Sequence, residues 1–136
     1  MKDMTTTSVY RTIPSTPIRK MTIKDPGSSI THFIGLIMAA LGTAPLLVRA
    51  GRHDSPIYMI SMAVFMASMI LLYAASTTYH TFDVSPSVNK LLKMVDHMMI
   101  SVLIAGSYTP VCLLVLNDRL GLILLGIVWG LAITGI

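Results

Sequence analysis

The stretch IYMISMAVFMASMILLYAASTTYH, residues 57–80, decides the fold. A helix needs roughly 20 apolar residues to cross about 30 Å of hydrocarbon at about 1.5 Å per residue. This run meets that length without a single Asp, Glu, Lys or Arg. Its apolar residues form a continuous block and not an amphipathic stripe, so the expected solvent is lipid. The block nevertheless ends in Ser76, Thr77, Thr78, Tyr79 and His80. A membrane helix that finishes in hydroxyls and an imidazole has to be explained by what surrounds it.

Three further blocks lie outward of it, at 29–48 with Pro45 inside, at 94–116 with Pro110 inside, and at 120–136. The composition agrees: 54% of the 136 residues are hydrophobic and only 12% are charged, against about 25% charged in ordinary soluble domains. Mean hydropathy is +0.74. Only helices satisfy their own backbone over such lengths in lipid. The expectation is therefore an all-α polytopic transmembrane helix bundle, with spans near 29–48, 57–79, 94–116 and 120–136. Residues 1–28, rich in Thr, Ser and Pro, read as a disordered tail. Pro26 and Gly27 followed by Ser28 and Ser29 read as a helix start with hydroxyl caps. The last block is barely long enough and no basic anchor follows it, so the chain reads as the N-terminal part of a longer bundle, the alternative being a chain that ends at the membrane face.

The net charge of +4 suggests nucleic acid only superficially, because no basic patch is interleaved with aromatics. The cations fall between apolar blocks. Lys2, Arg11, Arg19, Lys20 and Lys24 precede the first, and Lys90 and Lys93 separate the second from the third. Arg49, Arg52 and Arg119 lie on the other side. The basic excess places the N-terminus and the second connector in the cytoplasm of a plasma-membrane protein. One cysteine, Cys112, excludes an intrachain disulfide. The first apolar block starts too far along the chain for a signal peptide.

In this topology His32, His80, Asp96 and His97 arrive at one face from three helices. Ionisable residues inside a membrane are costly and mark functional sites by default. Imidazole and carboxylate are also a ligand set for zinc that activates water. Ser76 and His80, four apart, share a helix face. Plainer readings apply to each residue. His80 can snorkel to the interface, Asp96 can favour the positive end of its helix dipole, and His97 points about 100° away from Asp96. His53, in the opposite loop, reads as solvated. Gly126 and Gly130 read as an internal packing pair, and Pro110 as a kink whose freed carbonyl Ser107 or Thr109 satisfies. Spacing alone reaches a polar cluster in a helical bundle.

The motifs SSITHFIG (28–35), LLYAASTTYHTF (71–82), LLKMVDHMMISVLIAGSYTP (91–110) and LLGIVWGLAITGI (124–136) resemble the hemolysin III family. That family is the bacterial branch of the progestin and adiponectin receptor superfamily. The resemblance runs from Asp25 to the end of the chain. It implies seven transmembrane helices, of which four are present here, and a cytoplasmic N-terminus. It also implies kinship with membrane-embedded metal hydrolases such as alkaline ceramidases, which share Ser-x-x-x-His, Asp and His-x-x-x-His on three spans. By that resemblance His80 is a zinc ligand, and Ser76 and Asp96 position or activate the attacking water. His32 and His97 add to the polar cluster. The sequence departs from the pattern in lacking the His-x-x-x-His. It also has Ser28 and Phe33 where the family more often has Asn and Gly.

The expected function is thus a zinc-dependent membrane hydrolase acting on a lipid amide or ester, or a lipid-sensing protein. The alternatives are a pore-forming, cytolytic protein and a non-catalytic regulator of membrane or energy state. Membrane lipid is the expected partner in every case.

Overall fold

A computed structural model describes residues 23–116 and 118–135. The expected tail up to residue 22 therefore lies outside the described residues, as does Asn117. The described chain contains helices α1 (Pro26–Ala50), α2 (Pro56–Thr81), α3 (Pro86–Pro110) and α4 (Arg119–Thr134). A π-helical segment, Val111–Leu116, continues α3. No strand occurs among the described residues. The first three helices, α3 counted with its π-helical extension, are long and apolar enough to cross a membrane. At 16 residues α4 is shorter, reaching about 24 Å at 1.5 Å per residue.

Each of the first three helices starts on a proline at its first turn, where the missing N–H costs nothing and φ is already helical. The third begins well before the expected apolar block. Ser85 caps it by accepting the Val88 N–H at 3.3 Å, so the polar run through Asn89, Lys90 and Lys93 is helix and not connector. The helix outlasts the hydrophobic block because caps, and not hydropathy, set its start. At the other end, Pro110 has no N–H for the Gly106 carbonyl. The Ser107 hydroxyl donates to Ile104 O (2.8 Å) and the Thr109 hydroxyl to Ala105 O (2.9 Å). Neither serves the Gly106 carbonyl as the sequence suggested, and the chain widens into the π-helix instead.

The helices pack in chain order, α1 on α2, α2 on α3, and α3 on α4, with α1 touching neither α3 nor α4. The result is an open row with two broad faces. Its buried apolar residues are Ala39, Ala50, Met66, Ala105, Cys112 and Ala132, nearly all small, whereas Leu41, Val115, Leu131 and Ile133 are exposed. Small residues inside and large aliphatics outside is the pattern of helices packed in lipid, where burying a Leu gains little. Ser61, Ser68 and Ser76 extend the small inner face of α2. Gly106 of α3 rests directly on Ser68. By contrast, Gly126 and Gly130 face open space, so the packing role expected for them is not realised among the described residues. Gly121 does that work, lying against the Cys112 carbonyl.

Candidate functional site

The polar end of α2 is held by the chain entering α1. The Asp25 N–H donates to His80 O at 3.0 Å and the Lys24 N–H to Thr81 O at 3.4 Å. The last carbonyls of a helix have no intrahelical donor, and here a neighbouring segment supplies two. The side chains repeat the link. Ser29 and Thr81 share a hydroxyl–hydroxyl hydrogen bond of 2.6 Å, and the Lys24 ammonium sits 3.5 Å above the Tyr79 ring. Asp25 Oδ2 accepts from the Ser28 hydroxyl at 2.8 Å and lies 3.4 Å from His80 Nδ1. Ser28 and Ser29 therefore lie inside the helix and are not its N-cap: the Ser28 hydroxyl turns back to Asp25 and the Ser29 hydroxyl bonds across to Thr81. The Ser28 hydroxyl, opposed by desolvation and helped by the Ser28 N–H and the charge on His80, holds the Asp25 carboxyl below its ordinary pKa.

His32, nearly two turns into α1, places its ring 5.5 Å from that of His80 and edge-on to Tyr73 at 6.0 Å. Gly35 allows this, since a Cβ there would stand 2.6 Å from the Tyr73 ring. His32 Nδ1 is buried without a hydrogen-bond partner, and so is Thr77 Oγ1. Two imidazoles and a carboxylate thus meet at the α1–α2 end.

Asp96 lies elsewhere than the sequence placed it. Because α3 starts at Pro86, Asp96 is about 15 Å along the helix, not in its first turn. A cavity of about 300 Å³ between α2 and α3 is lined by Leu71, Ala74, Ala75 and Thr78 on one side and by Leu92, Val95 and Met99 on the other. Ser76 lies one turn before His80 on α2, and Ser76 and Asp96 are each next in sequence to a residue that lines this cavity. Ser76 is 2% exposed and Asp96 8% exposed. His97 is not part of the cluster. Its side chain is 62% exposed and its Nδ1 lies 2.8 Å from the Lys93 carbonyl, 4.0 Å from Asp96 Oδ2.

A hydrolytic zinc takes three protein ligands and leaves one position for water. Among the described residues no group of three His, Cys, Asp or Glu is placed to hold a metal. The described donors therefore do not make a zinc site by themselves. Asp25 is the residue sequence reasoning missed, counted only as the start of a motif. An acid immediately before a helix-starting proline was the available signal.

Membrane-length helices, an inverted small-residue core and buried ionisable groups define a polytopic α-helical membrane protein. Comparison with known proteins narrows the class. The family model described as Haemolysin-III related matches residues 21–136. Hemolysin-3 of Bacillus cereus is 41% identical over 109 residues, covering 80% of this chain and 49% of that protein. The Hemolysin-3 homolog of Bacillus subtilis (strain 168) is 40% identical over 116 residues, covering 85% of this chain and 54% of that one. The chain belongs to the haemolysin-III-related family. It spans about half the length of these relatives, and no solved structure matches it.

Proposed function

We propose that this protein is a zinc-dependent hydrolase of a membrane lipid amide or ester, to which the described helices contribute part of the site. The observation that supports this reading best is the burial of both Ser76 and Asp96, on the adjacent helices α2 and α3. An intramembrane carboxylate costs about 2.5–3.5 kcal/mol at a helix centre, and among the described residues the one basic side chain within 4.0 Å of the Asp96 carboxylate is His97. Packing alone does not account for keeping it there. In this reading His80 is a metal ligand, and Ser76 and Asp96 orient and deprotonate the attacking water. The remaining ligands come from outside the described residues. The N-terminus faces the cytoplasm, as the basic residues before α1 and after α2 favour.

The pore-forming alternative has less support. Ser61 and Ser68 line the inner face of α2, but their hydroxyls donate to the Tyr58 and Phe65 carbonyls of the same helix. They are spent on packing and do not offer a hydrated lining. The test is hydrolysis of short-chain fluorescent amide and ester lipids by the protein made from its full coding sequence. Asp96→Asn is expected to lower turnover about 10²–10⁴-fold, the range for losing a general base, with the helical fold intact. Turnover that is present and unaffected by Asp96→Asn overturns the assignment. A protein that binds these lipids without hydrolysing them is a sensor.

A further inference from the structure

The end of the molecule opposite His80 carries a second cluster that the hydrolase reading does not use. Helix α1 does not stop cleanly at Ala50. The Gly51 N–H donates to Leu47 O (2.9 Å), the Arg52 N–H to Arg49 O (3.2 Å) and the His53 N–H to Ala50 O (3.2 Å). This tight curl folds Arg52 and His53 back beside Arg49. The three, with Pro45 and Val48, line a cavity of about 540 Å³. No carboxylate lines it. Among the described residues neither guanidinium has an ion-pair partner, although Asp54 is only two residues from Arg52. His53 is not merely solvated, since its ring stacks on Tyr58 at 4.0 Å and 7°, which fixes its direction beforehand.

The chemistry of this cavity is specific. Guanidinium groups bind phosphate oxygens through paired N–H donors, and an imidazole held by stacking adds another donor at little entropic cost. Val48 immediately precedes Arg49 and Pro45 lies about a turn deeper along the same membrane helix, on the hydrocarbon side of the arginines. A ligand with an anionic phosphate at one end and apolar carbon directly below it fits both halves. We propose that Arg49, Arg52 and His53 bind the phosphate of an anionic phospholipid, with Pro45 and Val48 against its glycerol and first methylenes. The site lies at the other end of the helices from His80 and does not depend on the hydrolase reading.

The test is native mass spectrometry of the purified protein titrated with phosphatidylglycerol or phosphatidylcholine, and phosphatidylglycerol binding repeated with competing inorganic phosphate. The wild type is expected to retain phosphatidylglycerol in preference to phosphatidylcholine. Arg49→Gln/Arg52→Gln is expected to weaken that binding about thirtyfold, the effect of removing two lipid-facing cations. Arg49→Lys/Arg52→Lys, which keeps the charge but not the fork, should fall between. Both arginines are exposed, so helicity by circular dichroism should be unchanged. Equal retention of the two lipids, or undiminished binding by the Gln variant, overturns the site. Displacement of the lipid by inorganic phosphate at equal concentration makes the ligand a free anion and overturns the lipid assignment.

Discussion

Tyr73 lies where a side chain at position 35 would be, so the geometry of His32 depends on a glycine at that position. Gly35→Val is expected to destabilise the protein by about 1–3 kcal/mol through overpacking. Gly42→Ala, with no atom near the added methyl, is expected to stabilise it by up to about 1 kcal/mol through helix propensity. Thermal unfolding in detergent distinguishes them, and equal shifts would contradict the close approach. Asp25 gives a pH prediction. Its carboxyl is held below its ordinary pKa, so its contribution is present above the unfolded value of about 3.9 and is lost as pH falls through the folded value. The melting temperatures of wild type and Asp25→Asn should differ at neutral pH and converge on acidification. Parallel curves would show that the carboxylate is not coupled to folding. At this scale the sequence pointed to His80 and Ser76 because a polar end on an apolar helix is conspicuous. Asp25 escaped because its partner, His80, is 55 positions away and only the α1–α2 packing joins them.

The elements show which signals fix a helix in lipid. Hydropathy located α1 and α2 well, since their polar ends are short. It misplaced the start of α3 by eight residues, from 94 to Pro86, because a Ser85 cap and a leading proline outweigh two lysines. That difference mattered, since it puts Asp96 well inside α3 and not in its first turn. The junction of α3 and α4 was legible as Pro110 and as the break between apolar blocks at 117–119. The structure adds a π-helix and a relay in which the Trp129 indole N–H donates to the Thr109 hydroxyl at 3.1 Å, which donates to Ala105 O. Trp129→Phe is expected to cost about 1 kcal/mol. Thr109→Val should cost about 1–3 kcal/mol, because it leaves the indole N–H unpaired. Trp129 is the one tryptophan, so its emission reports α4 docking in the Thr109 variant directly. Cys112, 1% exposed in the π-helix, should resist maleimide until the protein unfolds. Pro110→Ala, which lets the helix close regularly, should speed its labelling.

The molecule as a whole is a row of helices whose large aliphatic side chains face outward and whose contacts are made by Ala, Gly and Ser. That arrangement was implicit in composition, but the open row was not. Hydropathy reports that a helix is in lipid and is silent on which neighbours it meets. The row carries two chemically distinct ends. One joins His80, His32 and Asp25, with Ser76 a turn deeper on α2. The other gathers Arg49, Arg52 and His53 around an open cavity. The function proposed above places its chemistry at the first end, on the buried Ser76 and Asp96, and takes zinc as its metal. The most direct measurement is the zinc content of the protein purified from its full coding sequence, for wild type and His80→Ala. The account predicts about one zinc per wild-type chain, and a sharp loss in the variant, because an open three-ligand site does not tolerate removal of one ligand. Equal zinc in the two proteins, or none in the wild type after growth with zinc, would contradict it.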